Sequence, residues 1–266
     1  MTVPPAAPPA DPPLALVRRP SPRLSDGITT HIDRVPVDAR LAVEQWTGYV
    51  DALSGSGWNV LEVPAADDCP DGVFVEDTAV VFGTTAVLTQ PGADRRRAEV
   101  AGTAGVLSDL GYQTVSIEGE GRLDGGDVLK VGSRVYVGRG GRTNAEGVRQ
   151  LRSLLAPLGA TVTAVPLTKA LHLKSAITAL PDGTVIGWAP VVDDPAFFPH
   201  FLAMPEEQGA HVVDLGQGRL LMSAAAPRSA AMVAGLGYTP VPVDISEYEK
   251  REGCVTCLSV RLRQRL

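Results

Sequence analysis

Long apolar runs are missing from this chain: nothing in its 266 residues approaches the roughly 18 that a membrane-spanning helix needs, and no span is expected. Cysteine is scarce. Cys69, Cys254 and Cys257 make three, too few and too odd a number for a disulfide framework, so a reducing cytoplasm is the expected setting. Lysine and arginine are nowhere gathered among aromatic residues, and a formal net charge of −6 with a pI near 5.3 argues against a nucleic-acid surface. A small cationic ligand fits that balance better. The spacing Cys254-Val255-Thr256-Cys257 has the form of a redox or zinc pair, but no second pair follows it. On a strand, moreover, residues three apart face opposite sides, so no metal is expected. The opening stretch, 1–13, is rich in Pro and Ala with neither a basic start nor an apolar core; it reads as a disordered lead, not a signal peptide. The remainder, 14–266, is expected to form one domain large enough to bury a real core.

What is present is a repeat. A helix-like stretch ends in glycine and a short alternating β run follows: 53–57 before Trp58 to Val63, 107–112 before Val115 and Ile117, 155–160 before Val162 and Val165, and 233–238 before Val241 and Val243. A weaker copy ends at Gly209 before Val212 and Val213, making five. Glycine suits a helix end that needs a left-handed residue. Hairpin patterns, two apolar runs split by a turn, precede several of these helices: 78–82 with 86–89, 128–131 with 135–138, and 176–180 with 185–188. The unit therefore reads as hairpin, helix, strand. Units that each bury one face against their neighbours close into a ring, sealed here by a last strand over 255–262 pairing with a first strand over 14–18.

In such a ring Asp77, Asp124 and His172 each fall just ahead of the first strand of successive hairpins, and Cys257 opens the sealing strand. Equivalent ends of the repeats face a common axis, so residues distant in sequence meet in one pocket. A thiol, an imidazole and several acids are the parts needed for covalent attack on a cationic carbon, such as that of a guanidinium group. Each residue has an ordinary reading as well. Cys257 fits as a small buried hydrophobe, His172 as a satisfied core histidine, Asp124 and Asp127 as turn formers beside Gly125 and Gly126, and Arg95-Arg96-Arg97 as the solvated start of a helix. Their placement at matching repeat ends favours the pocket.

Six blocks stand in order along the chain: PDGVFVED at 70–77, QPGADRR at 90–96, LDGGD at 123–127, GRTN at 141–144, LHLK at 171–174 and VTCLSV at 255–260. Together they resemble the dimethylarginine dimethylaminohydrolase family of the pentein, or guanidino-group-modifying, superfamily, over about 16–262. The resemblance implies an α/β fold, a five-bladed propeller of ββαβ modules around a pseudo-fivefold axis. It implies hydrolysis of N-omega-methylated arginine to citrulline and a methylamine, with no metal or organic cofactor. Cys257 then corresponds to the nucleophile, His172 to the general acid and base, and Asp124 to the acid that holds the imidazole. Asp77 corresponds to the residue gripping the guanidinium, with Glu76 as a supporting acid and Asp71 as a further pocket acid. Arg96 and Arg142 correspond to the pair that binds the substrate carboxylate, although the tripeptide Arg95-Arg96-Arg97 leaves two registers for the first of them. Ile28 corresponds to a lid residue. Arg251 stands where relatives carry a small apolar residue whose carbonyl meets the substrate amine.

The chemistry behind these roles is general. A guanidinium carbon is a poor electrophile, so carboxylates must fix the cation while a thiolate is presented in line. A free thiol, with a pKa of about 8.5, is lowered by a nearby cation, which the substrate itself can be. An imidazole protonates the departing amine and later activates water. Three rival readings are an arginine deiminase-type hydrolase, a non-catalytic binder of cationic amino acids, and a plain repeat scaffold. The first usually carries an inserted helical segment not found here, the simultaneous presence of Cys257 and His172 speaks against the second, and the third predicts no ligand binding at all. The expected partner is a small molecule, with no nucleic acid and no membrane, and the protein itself is expected to be a monomer or homodimer.

Overall fold

The computed structural model describes residues 12–263; nearly all of the expected disordered lead lies outside the described residues. In chain order, β1 (Leu14–Val17), α1 (Ala39–Ser54) and β2 (Asn59–Glu62) come first. They are followed by β3 (Ala79–Phe82), β4 (Thr85–Leu88), α2 (Val100–Asp109) and β5 (Gln113–Ser116). Next are β6 (Val128–Val131), β7 (Arg134–Arg139), α3 (Ala145–Leu155) and β8 (Thr161–Pro166). A shorter module holds β9 (Ile177–Ala179), β10 (Val185–Gly187) and β11 (Phe201–Ala203). Then come β12 (Val212–Gly216), β13 (Arg219–Ser223), α4 (Pro227–Gly235) and β14 (Thr239–Val243). A short α5 (Ser246–Glu249) leads to β15 (Val260–Leu262).

These strands form five three-stranded sheets built to one rule. Two strands run antiparallel and the third runs parallel to the middle one. In the first sheet the antiparallel partner of β1 is β15, with Leu16 beside Val260, so two distant segments of the chain close the ring as the sequence suggests. Local chemistry supports the pattern. The Asp38 side chain caps α1 by accepting from the N–H groups of Arg40 and Leu41, and α1 turns Ala42, Trp46, Tyr49 and Leu53 inward at helical spacing. The same period buries Val148, Leu151 and Leu155 on α3. Gly57, Gly111, Gly159 and Gly237, the four clear helix-ending glycines of the repeat, have φ between 83 and 92°, where a side chain would be strained. Among the described residues no helix is long and apolar enough to cross a membrane.

Two expectations need correction. Gly209 does not close an α-helix: the fourth module makes its crossover through 3-10 turns at Ala189–Val191 and Pro195–Phe197, and Pro195 would fall inside any helix continued from Pro190, where its missing N–H and ring break the ladder. Its third strand is β11, while Val212 and Val213 open the next hairpin. Nor does Cys257 lie in a strand. The expected run 255–262 shrinks to β15, and Cys257 sits in a turn whose N–H bonds the Cys254 carbonyl at 3.1 Å.

That turn is tied to α1. The Tyr49 hydroxyl donates to the Val255 carbonyl at 2.9 Å and meets Ser259 Oγ at 2.8 Å, with no exposure to solvent. Tyr49→Phe is expected to lower stability by about 1–3 kcal/mol, the cost of leaving a buried acceptor unmet, read as a shift in the urea midpoint without a change in slope.

Candidate active site

Short 3-10 turns at Val75–Thr78, Gly125–Asp127 and Leu173–Ser175 precede β3, β6 and β9, and they deliver Asp77, Asp124 and His172 to the ring axis. Oxygen and nitrogen atoms of these three residues lie within 4.8 Å of one another. His172 Nε2 is 2.9 Å from Asp124 Oδ2; because the carboxylate only accepts, Nε2 carries the proton and Nδ1 faces Asp77, 3.9 Å away. Asp124 also accepts from the Gly92 N–H at 2.8 Å. The Gly125-Gly126 pair is a matter of clearance: a Cβ on Gly126 would stand 2.7 Å from both His172 Nδ1 and Asp77 Oδ1. Its N–H instead donates to Asp77 Oδ1 at 2.8 Å.

Charge in this group is almost dry. Burial opposes an imidazolium at His172, but the charge of Asp77 and the bond to Asp124 outweigh it and lift the ring to about 9. Burial likewise opposes ionisation of Asp77, yet His172⁺, Arg96 and the Gly126 N–H hold it well below the usual carboxylate range. Asp127, behind them, is pushed up to about 7 by burial; it accepts from Thr143 Oγ1 at 2.5 Å and from the Leu173 N–H at 3.0 Å, which fixes the His172 segment.

Arg96 stands differently from what its expected role requires. Its guanidinium is bidentate with Glu99, 2.5 Å from Asp77 Oδ2, and bonded to the Phe74 carbonyl, leaving most of its donors spent on protein. Arg95, at the other register, has a side chain 52% exposed and 3.6 Å from Asp71. Glu76 faces away from the pocket. Its Oε1 pairs with Lys174 at 2.5 Å and Arg261 at 2.6 Å, on the wall of a separate cavity of about 370 Å³; successive residues of the 3-10 turn point to opposite sides of it.

Cys257, His172, Asp77, Asp71, Arg96, Arg142, Arg251 and Ile28 all line one cavity of about 20 Å³, room for about one water. A segment around Ile28 roofs it. The Ile28 N–H donates to both oxygens of Asp71, at 3.0 and 3.2 Å, and Glu252 accepts from the N–H groups of Thr30 and His31 at 2.6 and 2.8 Å. Arg142 lies beneath, 3.5 Å from Thr30 Oγ1 and 3.8 Å from Asp124. The Arg251 side chain bonds the carbonyls of Leu24 and Ser25, so the bulky charge is absorbed by the roof.

The sulfurs of Cys254 and Cys257 are 3.3 Å apart. The opposite-faces argument fails because a turn, not a strand, carries them. The bond between the two sulfurs lowers Cys254 below the usual thiol range and, together with burial, raises Cys257.

No family model matches the sequence. The N(G),N(G)-dimethylarginine dimethylaminohydrolase of Streptomyces coelicolor is 62% identical over 250 residues, covering 94% of this chain and 97% of that protein. The chain belongs to the dimethylarginine dimethylaminohydrolase family. The family member of the same name from Pseudomonas aeruginosa is 34% identical over 92% of this chain and 98% of its own. A solved structure of the P. aeruginosa protein, a Cys-to-Ser variant complexed with citrulline, superposes with a TM-score of 0.87 at 33% identity, over 94% of this chain and 98% of that one. The five sheets are thus the blades of the pentein propeller.

Several site residues were not singled out from the sequence. Glu99 lies three residues beyond Arg96, a helical spacing that offers a signal. Thr143 sat unremarked inside GRTN, and Glu252 left no local mark beyond its neighbours; in the structure it holds a left-handed φ of 58°. Asp77, Asp124 and His172 also have the donor atoms for a metal; Arg96, the Gly126 N–H and the His172–Asp124 bond take up the carboxylates and Nε2.

Two outcomes follow from this geometry. Because the folded pKa of His172 is raised, its stabilisation is full below about 6.5 and is lost as pH rises toward about 9; subtracting the urea stability profile of His172→Gln from that of wild type should leave a decline over that interval. Glu252→Ala should free the roof, and alkylation of Cys257 by iodoacetamide, followed by peptide mass, should accelerate several-fold.

Proposed function

We propose that the chain hydrolyses N-omega-methylated arginine to citrulline and methylamine or dimethylamine through a covalent adduct on Cys257. The observation that carries this reading is the convergence of Cys257, His172 and Asp77 on one cavity, in a chain of this family. With the roof lifted, the substrate guanidinium sits against Asp77, whose negative charge persists despite burial. The cation also draws the anion of the cysteine pair onto Cys257. The thiolate adds to the guanidinium carbon. Nδ1–H of His172 protonates the methylated nitrogen, the C–N bond breaks, and an S-alkylthiouronium remains. Nδ1, now neutral, takes a proton from water as it attacks the same carbon; the C–S bond breaks, the adduct's hydroxyl proton passes to the released amine, and citrulline and the thiolate are set free.

Asp124 keeps Nε2 protonated and Nδ1 free for both transfers. Arg142, whose guanidinium has long contacts at 3.5 and 3.8 Å among the described residues, is the arginine left to receive the substrate carboxylate. Arg96 braces Asp77 instead. Asp71 and Ile28 form the closing edge of the pocket, and Glu76 supports the Cys257 turn, its N–H donating to the Cys257 carbonyl at 3.1 Å. We place the catalytic unit in 14–266, acting on a small molecule in the cytoplasm as a monomer or homodimer.

Incubation with arginine, monomethylarginine and asymmetric dimethylarginine in turn, with citrulline quantified, tests the substrate class. Citrulline is expected from the methylated forms and not from arginine; release from arginine alone would replace this reading with a deiminase. His172→Ala should lower kcat by about 10²–10⁴-fold, the worth of a positioned acid and base.

A further inference from the structure

We propose that Cys254 and Cys257 form a reversible disulfide on exposure to hydrogen peroxide, a modification site that withdraws the nucleophile from the pocket. Their sulfurs already stand 3.3 Å apart, against about 2.05 Å in a disulfide. The backbone permits the remaining approach: the turn closed by Cys257 N–H on the Cys254 carbonyl keeps the two Cα atoms within about 7 Å, close to the span a disulfide bridges. Cys69, the other free cysteine, lies outside this turn.

The two sulfurs face different cavities. Cys257 lines the 20 Å³ pocket, while Cys254 lines a second one of about 160 Å³ with Ser175, His211 and Glu249. Leu171, Glu252 and Gly253 border both, so the cysteine turn is the partition between them. Exposed residues His31, Lys169 and Glu207 contribute to the larger cavity, which gives a small oxidant or a thiol a path to Cys254 that does not pass through the substrate pocket. The neighbouring Cys257 sulfur also lowers the Cys254 thiol below its usual range.

The chemistry closes without further reagents. The Cys254 thiolate attacks one peroxide oxygen; an S–O bond forms, the O–O bond breaks, and hydroxide leaves as water with a proton from the pocket, giving a sulfenic acid. The Cys257 sulfur, releasing its own proton, then attacks Cys254; the S–S bond forms, the S–O bond breaks, and a second water departs. Two thiols are oxidised by two electrons and one peroxide becomes two waters. An added dithiol reverses the step by exchange at Cys254.

The effect on turnover rests on the proposed role of Cys257; formation of the bond does not. The test treats the full-length protein with a small excess of hydrogen peroxide, removes it, and follows thiol count, intact mass and citrulline release before and after dithiothreitol. Free thiols should fall from three by two, the mass should drop by two hydrogen atoms, and activity should vanish and return together. Trypsin places both cysteines in one peptide, 252–261, where the link is read directly. Retention of all thiols, addition of oxygen without loss of hydrogen, or a link to Cys69 overturns the proposal. A 254–257 link with turnover intact upholds the disulfide and overturns Cys257 as nucleophile. In Cys254→Ser, and in Cys254→Ala should the first fold poorly, peroxide should abolish that variant's own activity irreversibly, with Cys257 carried to the sulfinic acid; recovery by dithiothreitol there counts against the pairing.

Discussion

A carboxylate that is 2% exposed has to find its counter-charge inside the protein, because leaving it unpaired costs several kcal/mol. Asp77 is that group, and what neutralises it organises the ring. Arg96 approaches from the 3-10 turn just ahead of α2, the Gly126 N–H from the third blade, and His172 from the fourth. Arg96 in turn needs a second anion, which Glu99 supplies. One charge thereby pulls three blades to the axis and sets the protonation of the imidazole opposite the thiol.

The roof extends the same economy of acceptors. Asp71 and Glu252 are acids at the mouth of the pocket, and here both accept from backbone N–H groups of the segment above them. An arriving ammonium or guanidinium competes for the oxygens that hold the roof down, so ligand charge and roof position are coupled. Arg251 anchors the other end of that segment through carbonyls, giving it a fixed side and a releasable side.

Much of this was legible in the residues. The hairpin, helix, glycine and strand pattern follows directly from periodicity and positive φ, and it placed the ends of β3, β6 and β9 well enough to gather Asp77, Asp124 and His172. The fourth blade escaped because its crossover is carried by proline-bearing 3-10 turns and its third strand, Phe201–Ala203, is too short to alternate. The cysteine turn escaped because Val255 to Leu262 reads as a strand, and only a backbone bond from Cys257 to Cys254 breaks that period. Side-chain direction within a 3-10 turn is not a sequence property at all: Glu76 and Asp77 are adjacent acids, yet one serves the pocket and the other braces cations across the ring.

The pairing of β1 with β15 joins segments from opposite ends of the described chain, with Leu14 beside Leu262. Contacts of such separation carry the largest loop-closure entropy and tend to slow folding. The reactive thiol lies only a few residues from that seam, braced by Tyr49 of the opening segment. Closing that seam seats Cys257 beside His172 and Asp77, so the pocket is completed by the kind of contact that tends to form late.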